Sequence, residues 1–284
     1  MSDFVIVTDS TADLPPTSVR EQDIRIVPLK VVFGDEILTD GVDCDGASLF
    51  KKVEQTGSLP KTSAPSPGDF AACFGPIIET GRSLLYIGIS TELSSTVQNA
   101  VIAAQEYPEG SIEIVDSRNL STGIGLLVLK AADLRREGKS LQETAETIRE
   151  LTAQVKTGFV IDTLDYLYKG GRLSSLSHLV GSMLKIKPLV RVTDGKMGVA
   201  DKLRGSGRKV AEVMLEQALA DKERIDPARV FVTHAAADEI AAHLKEQLEQ
   251  QLGGTEVLLS RAGSVISSHC GPGTVGILYI VTNS

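Results

Sequence analysis

Short apolar runs alternate with longer amphipathic stretches through the first half of the chain. Residues 4–8 (FVIVT) read as a strand leading into DSTADLPP, a turn or helix start, and residues 24–33 form a second extended run. A helix is expected over 48–55. The proline-rich loop SLPKTSAPSP (58–67) comes next, then a helix over 69–79. Residues 84–89 and 112–115 read as strands around a helix at 95–106. Residues 120–136 and 141–154 read as consecutive helices. Such alternation predicts an α/β fold with a mostly parallel sheet covered by helices on both faces.

The second half has a different rhythm. Residues 190–203 alternate around the turn signal TDGK, which suits a β-hairpin. Helices are expected over 207–220 and 236–252, with a strand at 229–233 between them. The last strands, 256–259 and 276–281, flank a loop containing SVISSHCGPGTVG. Extended FVIDT closes the helical tract, so we place a boundary near residue 160: an N-terminal α/β domain of residues 1–160 and a mixed α/β domain of residues 161–284. A chain of 284 residues, 42% apolar and 23% charged, is long enough for two such cores.

Charge narrows the function classes. A net charge of −8 argues against nucleic acid or an anionic membrane as partner. The opening MSDFVIVTDS has no basic n-region, and no apolar run approaches the roughly 20 residues of a membrane span. A cytoplasmic protein is therefore expected. Cys44, Cys73 and Cys270 form no CxxC pair and read as reduced thiols. GxxxxGK[ST], HExxH and GxSxG signatures do not occur, and there is no strand–GxGxxG–helix dinucleotide fingerprint.

Residues 166–193 contain no carboxylate, and Lys169, Arg172, Lys185, Lys187 and Arg191 supply their charge. Beside those cations lie Leu173, Leu176, Leu179, Val180, Met183 and Leu184 at helical spacing. Such a stripe serves either core packing or an acyl-chain tunnel. A basic segment beside an apolar face suits a ligand with an anionic head and a greasy body. Arg172 follows Gly170 and Gly171, and its fork fits a carboxylate or phosphate, although a solvent-exposed turn arginine has the same pattern.

Ligands of α/β sheets sit in the loops after strands. Asp9, Ser10 and Thr11 read as capping and turn residues; a second acid, as phosphotransfer would need, is replaced by Thr11. Thr62, Ser63 and Ser66 stand in a loop stiffened by prolines, either an anion cradle or a plain connector. Ser94 precedes a helix whose Ser95 and Gln98 have capping-box spacing, a place for an anion or simply a cap. His269 lies beside a Gly-Pro-Gly turn and reads as a hydrogen-bond donor to an anion. Its neighbour Cys270 would point away from it in an extended loop, which disfavours a catalytic pair. His178, His234 and His243 have no metal-ligand spacing. His243 reads as surface, while His178 and His234 stay open. Lys202, Arg204, Arg208 and Lys209 form either a docking patch or a solvated basic face.

TDSTADLP, TSAPSP, the LSST turn, IVDS at 114–117, DTLDYLYKGGRL, IKPL and HCGPG occur in the order found in DegV-family proteins. The resemblance runs from about residue 4 to residue 281. It implies two α/β domains holding a long-chain, palmitate-like fatty acid between them, without catalysis, metal or cofactor. It also implies a monomer that presents the fatty-acid carboxyl to a separate fatty acid kinase subunit. Carried over, Thr62 and Ser94 are the carboxylate ligands, and Arg172 and His269 close over or neutralise the head group. The stripe from Leu173 to Leu184 would then face the tail, and Lys202 and Arg204 would meet the kinase. Ala64, Ser95 and Cys270 depart from the glutamine, glycine and threonine frequent at those places. The competing reading is an acyl hydrolase or acyltransferase using Ser94 with His269. A third borrows from the dihydroxyacetone kinase fold, with His269 holding a small ketone covalently.

Overall fold

A computed structural model of the chain describes residues 4–172 and 186–282. In chain order its first part runs β1 (Phe4–Asp9), α1 (Pro16–Glu21), β2 (Ile24–Val27), β3 (Lys30–Phe33), β4 (Glu36–Thr39), α2 (Gly46–Thr56) and β5 (Lys61–Ser63). It continues with α3 (Pro67–Glu79), β6 (Ser83–Gly88), α4 (Thr96–Ala104), β7 (Ile112–Asp116), α5 (Thr122–Arg136) and α6 (Leu141–Leu151). Every residue of β1 is buried, the pattern of a central strand covered on both faces. It lies in an all-parallel sheet of order β2-β1-β6-β7. Phe70 and Phe74 of α3 and Val97 and Ala100 of α4 pack on Val5, Val7 and Tyr86. Ile124 and Leu127 of α5 and Ile148 of α6 pack on Phe4, Ile6 and Leu85 on the other side. This is the expected helix-covered parallel sheet.

The extended run 24–33 is two strands in two sheets. Pro28 stands at the break, where it has no N–H to donate to a ladder. Beyond it β3 pairs antiparallel with β4 and β5, and Val31 faces Thr62 in the register. The segment Lys61–Ser63, expected as loop, is therefore a short strand held by its partner and not by any apolar alternation of its own.

The second part runs β8 (Val155–Val160), α7 (Asp165–Lys169), β9 (Lys187–Thr193), β10 (Lys196–Leu203), α8 (Gly207–Leu219) and β11 (Ile225–Ala235). It ends with α9 (Asp238–Leu252), β12 (Glu256–Arg261), α10 (Ser264–Cys270) and β13 (Thr274–Val281). The six-stranded sheet has the order β10-β9-β8-β13-β11-β12, and β11–β12 is its parallel pair. The β9–β10 hairpin turns through Asp194 and Gly195, both at positive φ (49° and 81°), as a two-residue turn between right-twisted strands requires. Helices α8 and α9 cover one face through Val210, Met214, Leu244 and Leu248. Phe231, Leu278 and Ile280 on the other face join the core around α5, so that helix is shared by both large sheets.

The expected loop around SVISSHC is instead helix α10. Its first turn is held by carboxylates distant in sequence: Asp13 Oδ1 accepts from Gly263 N at 2.8 Å, and Asp40 Oδ1 from Ser264 N at 2.7 Å and Ser264 Oγ at 2.6 Å. Ser268 Oγ donates back to Ser264 O at 2.6 Å, which satisfies a buried hydroxyl inside the helix. Among the described residues no helix is long and apolar enough to cross a membrane. The stripe of Leu173, Leu176, Leu179, Val180, Met183 and Leu184 lies outside the described residues, as do His178 and Lys185.

Candidate functional site

Four elements bring polar side chains to one opening. β5 supplies Thr62, whose Oγ1 lies 2.8 Å from Nε2 of His269 in the last turn of α10. The other ring nitrogen, Nδ1, is sealed from solvent without a partner. The ring lies against Gly170, the residue after α7, where an added Cβ would stand 2.8 Å from His269 Cε1 and nearer still to Nδ1. Glycine is required there for the close approach, not for its backbone angle, since φ is −74°. Burial first, and the Arg172 charge second, draw the His269 pKa down from 6.5 to about 4. The ring is therefore neutral at pH 7 and acts as a hydrogen-bonding group.

Arg172 is fixed by its own backbone. Its N–H donates to Leu167 O at 3.0 Å, Nη1 to Gly170 O at 2.9 Å, and Nε to Leu93 O at 3.2 Å. Among the described residues no carboxylate forms an ion pair with it, so a positioned guanidinium keeps donors and charge for an anion. The bond to Leu93 ties it to the β6–α4 turn, whose next residue is Ser94. Ser94 Oγ lies 2.8 Å from Thr96 Oγ1 and accepts from Thr96 N at 3.4 Å. The expected capping box of Ser95 and Gln98 does not form, since Ser95 makes no side-chain cap bond and Ser94 takes that part instead.

Thr62, Ser94, Arg172 and His269 line one cavity, whose free space together with the open solvent at its mouth is about 850 Å³. Its remaining wall is largely apolar, with Leu29, Leu93, Leu120, Phe159, Met197 and Leu278 prominent. The strand residues were missed in the sequence. Phe159 faces Gly276 across β8–β13, and Thr157 faces Leu278, so one sheet face turns into the cavity. The available signal was the alternation along 155–160 and a glycine within an otherwise apolar terminal strand. The cavity lies between this face and the loops after β6 and β7, beside the carboxyl end of α10.

Other sequence candidates are placed apart from that opening or have structural partners. Asp9 is buried and accepts from Thr11 N at 3.0 Å, Tyr86 OH at 2.8 Å and Ile89 N at 3.0 Å, the turn-forming role expected of it. Lys202, Arg204, Arg208 and Lys209 are exposed and absent from the cavity wall. His234 is buried but lines the same cavity; its Nδ1 accepts from Ala237 N at 3.3 Å, and its Nε2 has no hydrogen-bond partner. His243, expected at the surface, is half-buried and pairs with Glu212 between α9 and α8. Cys270 also borders the cavity, but burial pushes its thiol up to about 12, which keeps it protonated. No hydrogen bond joins Ser94 or Cys270 to His269 among the described residues; its Nε2 is taken by Thr62 and its Nδ1 has no hydrogen-bond partner. No group of three or more metal-ligating side chains occurs among the described residues.

Comparison with known proteins gives this arrangement relatives along its whole length. The model of the DegV family, described as uncharacterised proteins, matches residues 3–282. A DegV domain-containing protein of Clostridium acetobutylicum is 34% identical over 280 residues, covering 99% of both chains. One from Deinococcus radiodurans is 35% identical, covering 96% of this chain and 97% of its own. Among solved structures, a DegV family protein of Thermus thermophilus described as fatty acid binding superposes with a TM-score of 0.92 at 33% identity, covering 99% of this chain and all of its own. DegV of Bacillus subtilis, described as a fatty acid binding protein, gives 0.87 at 28% identity with 99% and 100% coverage. A stearic acid-binding protein of Eubacterium ventriosum gives 0.87 at 26% identity and 98% coverage of each. Matched by the family model across both sheets and the cavity between them, the chain belongs to the DegV family.

Proposed function

We propose that this protein is a non-catalytic carrier of a long-chain fatty acid, whose carboxylate it presents to a separate kinase subunit for conversion to an acyl phosphate. The observation that carries the reading is that Thr62, Ser94, Arg172 and His269 all line one largely apolar cavity, with Thr62 hydrogen-bonded to His269. Fatty-acid binding by the superposable relatives supports it. In this reading residues 1–160 supply Thr62 and Ser94, and residues 161–284 supply Arg172 and His269. The ligand bridges the two units, in a cytoplasmic monomer that needs no cofactor or metal.

The energetics suit the chemistry. A tail of about 16 carbons gains roughly 10 kcal/mol gross on burial at about 0.8 kcal/mol per methylene. Ordering and association consume a good share of that. With affinity vested in the tail, two hydroxyls and a neutral imidazole suffice for orienting the head. They leave the carboxylate oxygens more nucleophilic than tight ion pairing would, and Arg172 supplies one charge-assisted contact. Lys202 and Arg204, exposed and away from the cavity wall, are the proposed kinase-docking residues.

Organic extraction of the purified protein followed by mass spectrometry tests the carrier reading. The expected result is a stoichiometric C16–C18 fatty acid, or saturable uptake of palmitate by delipidated protein. Absence of both sinks the proposal. Turnover of an acyl ester that disappears in Ser94→Ala would replace it with the hydrolase reading.

A further inference from the structure

The face of the six-stranded sheet opposite the fatty-acid cavity carries a second cleft, of about 1210 Å³ together with the open solvent at its mouth. Among the described residues Thr157 alone belongs to the walls of both. Strand alternation explains the separation. Thr157 and Phe159 turn one way, so Lys156 and Gly158 turn the other. Arg191 is the cross-strand partner of Gly158, and Tyr279 that of Lys156. Lys156 and Arg191 are thus diagonal neighbours on one face, with backbones about 7–8 Å apart. Between them the floor is low, since a Cβ built on Gly158 meets only Leu189 Cδ1, at 3.9 Å.

Charge in this cleft is opposite to that of the chain. Its walls carry Arg118, Lys156, Arg191 and Arg224 against Asp194 and Asp221, in a protein of net charge −8. Two of those cations are engaged. Arg224 is paired with Asp221, and Arg118 lies within 4.0 Å of Glu92 and Asp116. Asp221 also accepts from Tyr279 OH at 2.9 Å and feels the charges of Arg224 and, at longer range, Lys156. Lys156 and Arg191 have no carboxylate within ion-pair distance among the described residues, and Arg191 donates to the neutral Gln217 Oε1 at 2.7 Å. A guanidinium and an ammonium held over an open glycine, beside Leu189, Met214 and Ile277, match a dianionic head on a small apolar body.

We propose that this cleft is a second ligand site that takes a phosphomonoester of compact apolar body, its phosphate between Lys156 and Arg191 above Gly158. The site is independent of the fatty-acid cavity. Phenyl phosphate is the probe, titrated calorimetrically into delipidated full-length protein and into protein saturated with palmitate. The expected dissociation constant is about 1 mM or lower, unchanged by palmitate, with benzoate at least roughly tenfold weaker because it carries one charge. Arg191→Met should weaken phenyl phosphate about tenfold or more, and Gly158→Val should abolish it by filling the floor, while both variants keep wild-type palmitate affinity. Competition by palmitate, equal binding of benzoate, binding unaffected by Arg191→Met, or no binding at all would each overturn the proposal. Arg191→Met alters no buried side chain, so the test stands even if Gly158→Val does not fold.

Discussion

Gly170→Ala sets two physical effects of opposite sign against each other. At φ −74° alanine is allowed, and a glycine replaced by alanine at a compatible angle gains about 0.4–1 kcal/mol through the unfolded chain. Against this, the new Cβ would stand 2.8 Å from His269 Cε1 and 2.9 Å from the backbone oxygen of Tyr166, with Nδ1 nearer still. The Tyr166 carbonyl belongs to the α7 backbone and gives little, so the ring must retreat by roughly 1 Å. Overpacking of this kind costs about 1–3 kcal/mol. Losing the 2.8 Å bond between His269 and Thr62 adds about 0.5–1.5 kcal/mol. The clash wins, and a net destabilisation of about 0.5–4 kcal/mol is expected in urea denaturation of delipidated protein. Palmitate affinity should fall with it. In a His269→Ala background the penalty should shrink, because only the contact with the Tyr166 carbonyl remains. A Gly170→Ala variant as stable as wild type, with unchanged palmitate affinity, would refute the tight approach of ring and glycine.

Thr62→Val removes the hydroxyl on His269 with little change of shape, and palmitate should bind about tenfold more weakly by titration calorimetry. The depressed pKa of His269, about 4 against 6.5, means the folded state binds its proton less readily than the unfolded chain. Its contribution is therefore complete above pH 6.5 and lost as pH falls towards 4, by up to about 3 kcal/mol. Subtracting the pH profile of His269→Gln from that of wild type in urea melts isolates this loss, and parallel profiles would contradict it. Asp13 has the opposite sign. Burial raises its pKa well above the usual carboxylate value, so its protonated form stabilises the fold and that stability is lost as pH rises through the folded value. Asp13→Asn should become progressively more stable relative to wild type over that rise, whereas Asp13→Ala, which strands Ser121 and Gly263 N–H, should cost about 2–4 kcal/mol. Arg204→Glu should slow acyl phosphate formation by the kinase while leaving palmitate affinity unchanged; a lost affinity would argue for damage to the pocket.

The sequence made the two large sheets legible because their strands are apolar runs separated by helix-period segments, and the DG turn at 194–195 announces its hairpin directly. What escaped reading was decided by distant partners. Lys61–Ser63 becomes a strand because β3 offers it an edge, and Ser264–Cys270 becomes a helix because Asp13 and Asp40 answer its first N–H groups from more than 220 residues away. Neither partner leaves a mark on the local pattern. For the site, the motifs pointed to Thr62, Ser94, Arg172 and His269, and all four line one cavity. The expected apolar wall of Leu173 to Leu184 lies outside the described residues, and among those described Phe159, Met197 and Leu278 contribute to the wall. These sit on different strands, and only the sheet order brings them together.

Electron density for the protein crystallised with palmitate tests the central claim most directly. One long, thin ligand is expected along Phe159 and Leu278, its carboxylate about 3 Å from Thr62 Oγ1 and Ser94 Oγ. A cavity filled only with ordered water, or a carboxylate at the far end with the tail against Thr62 and Ser94, would contradict it.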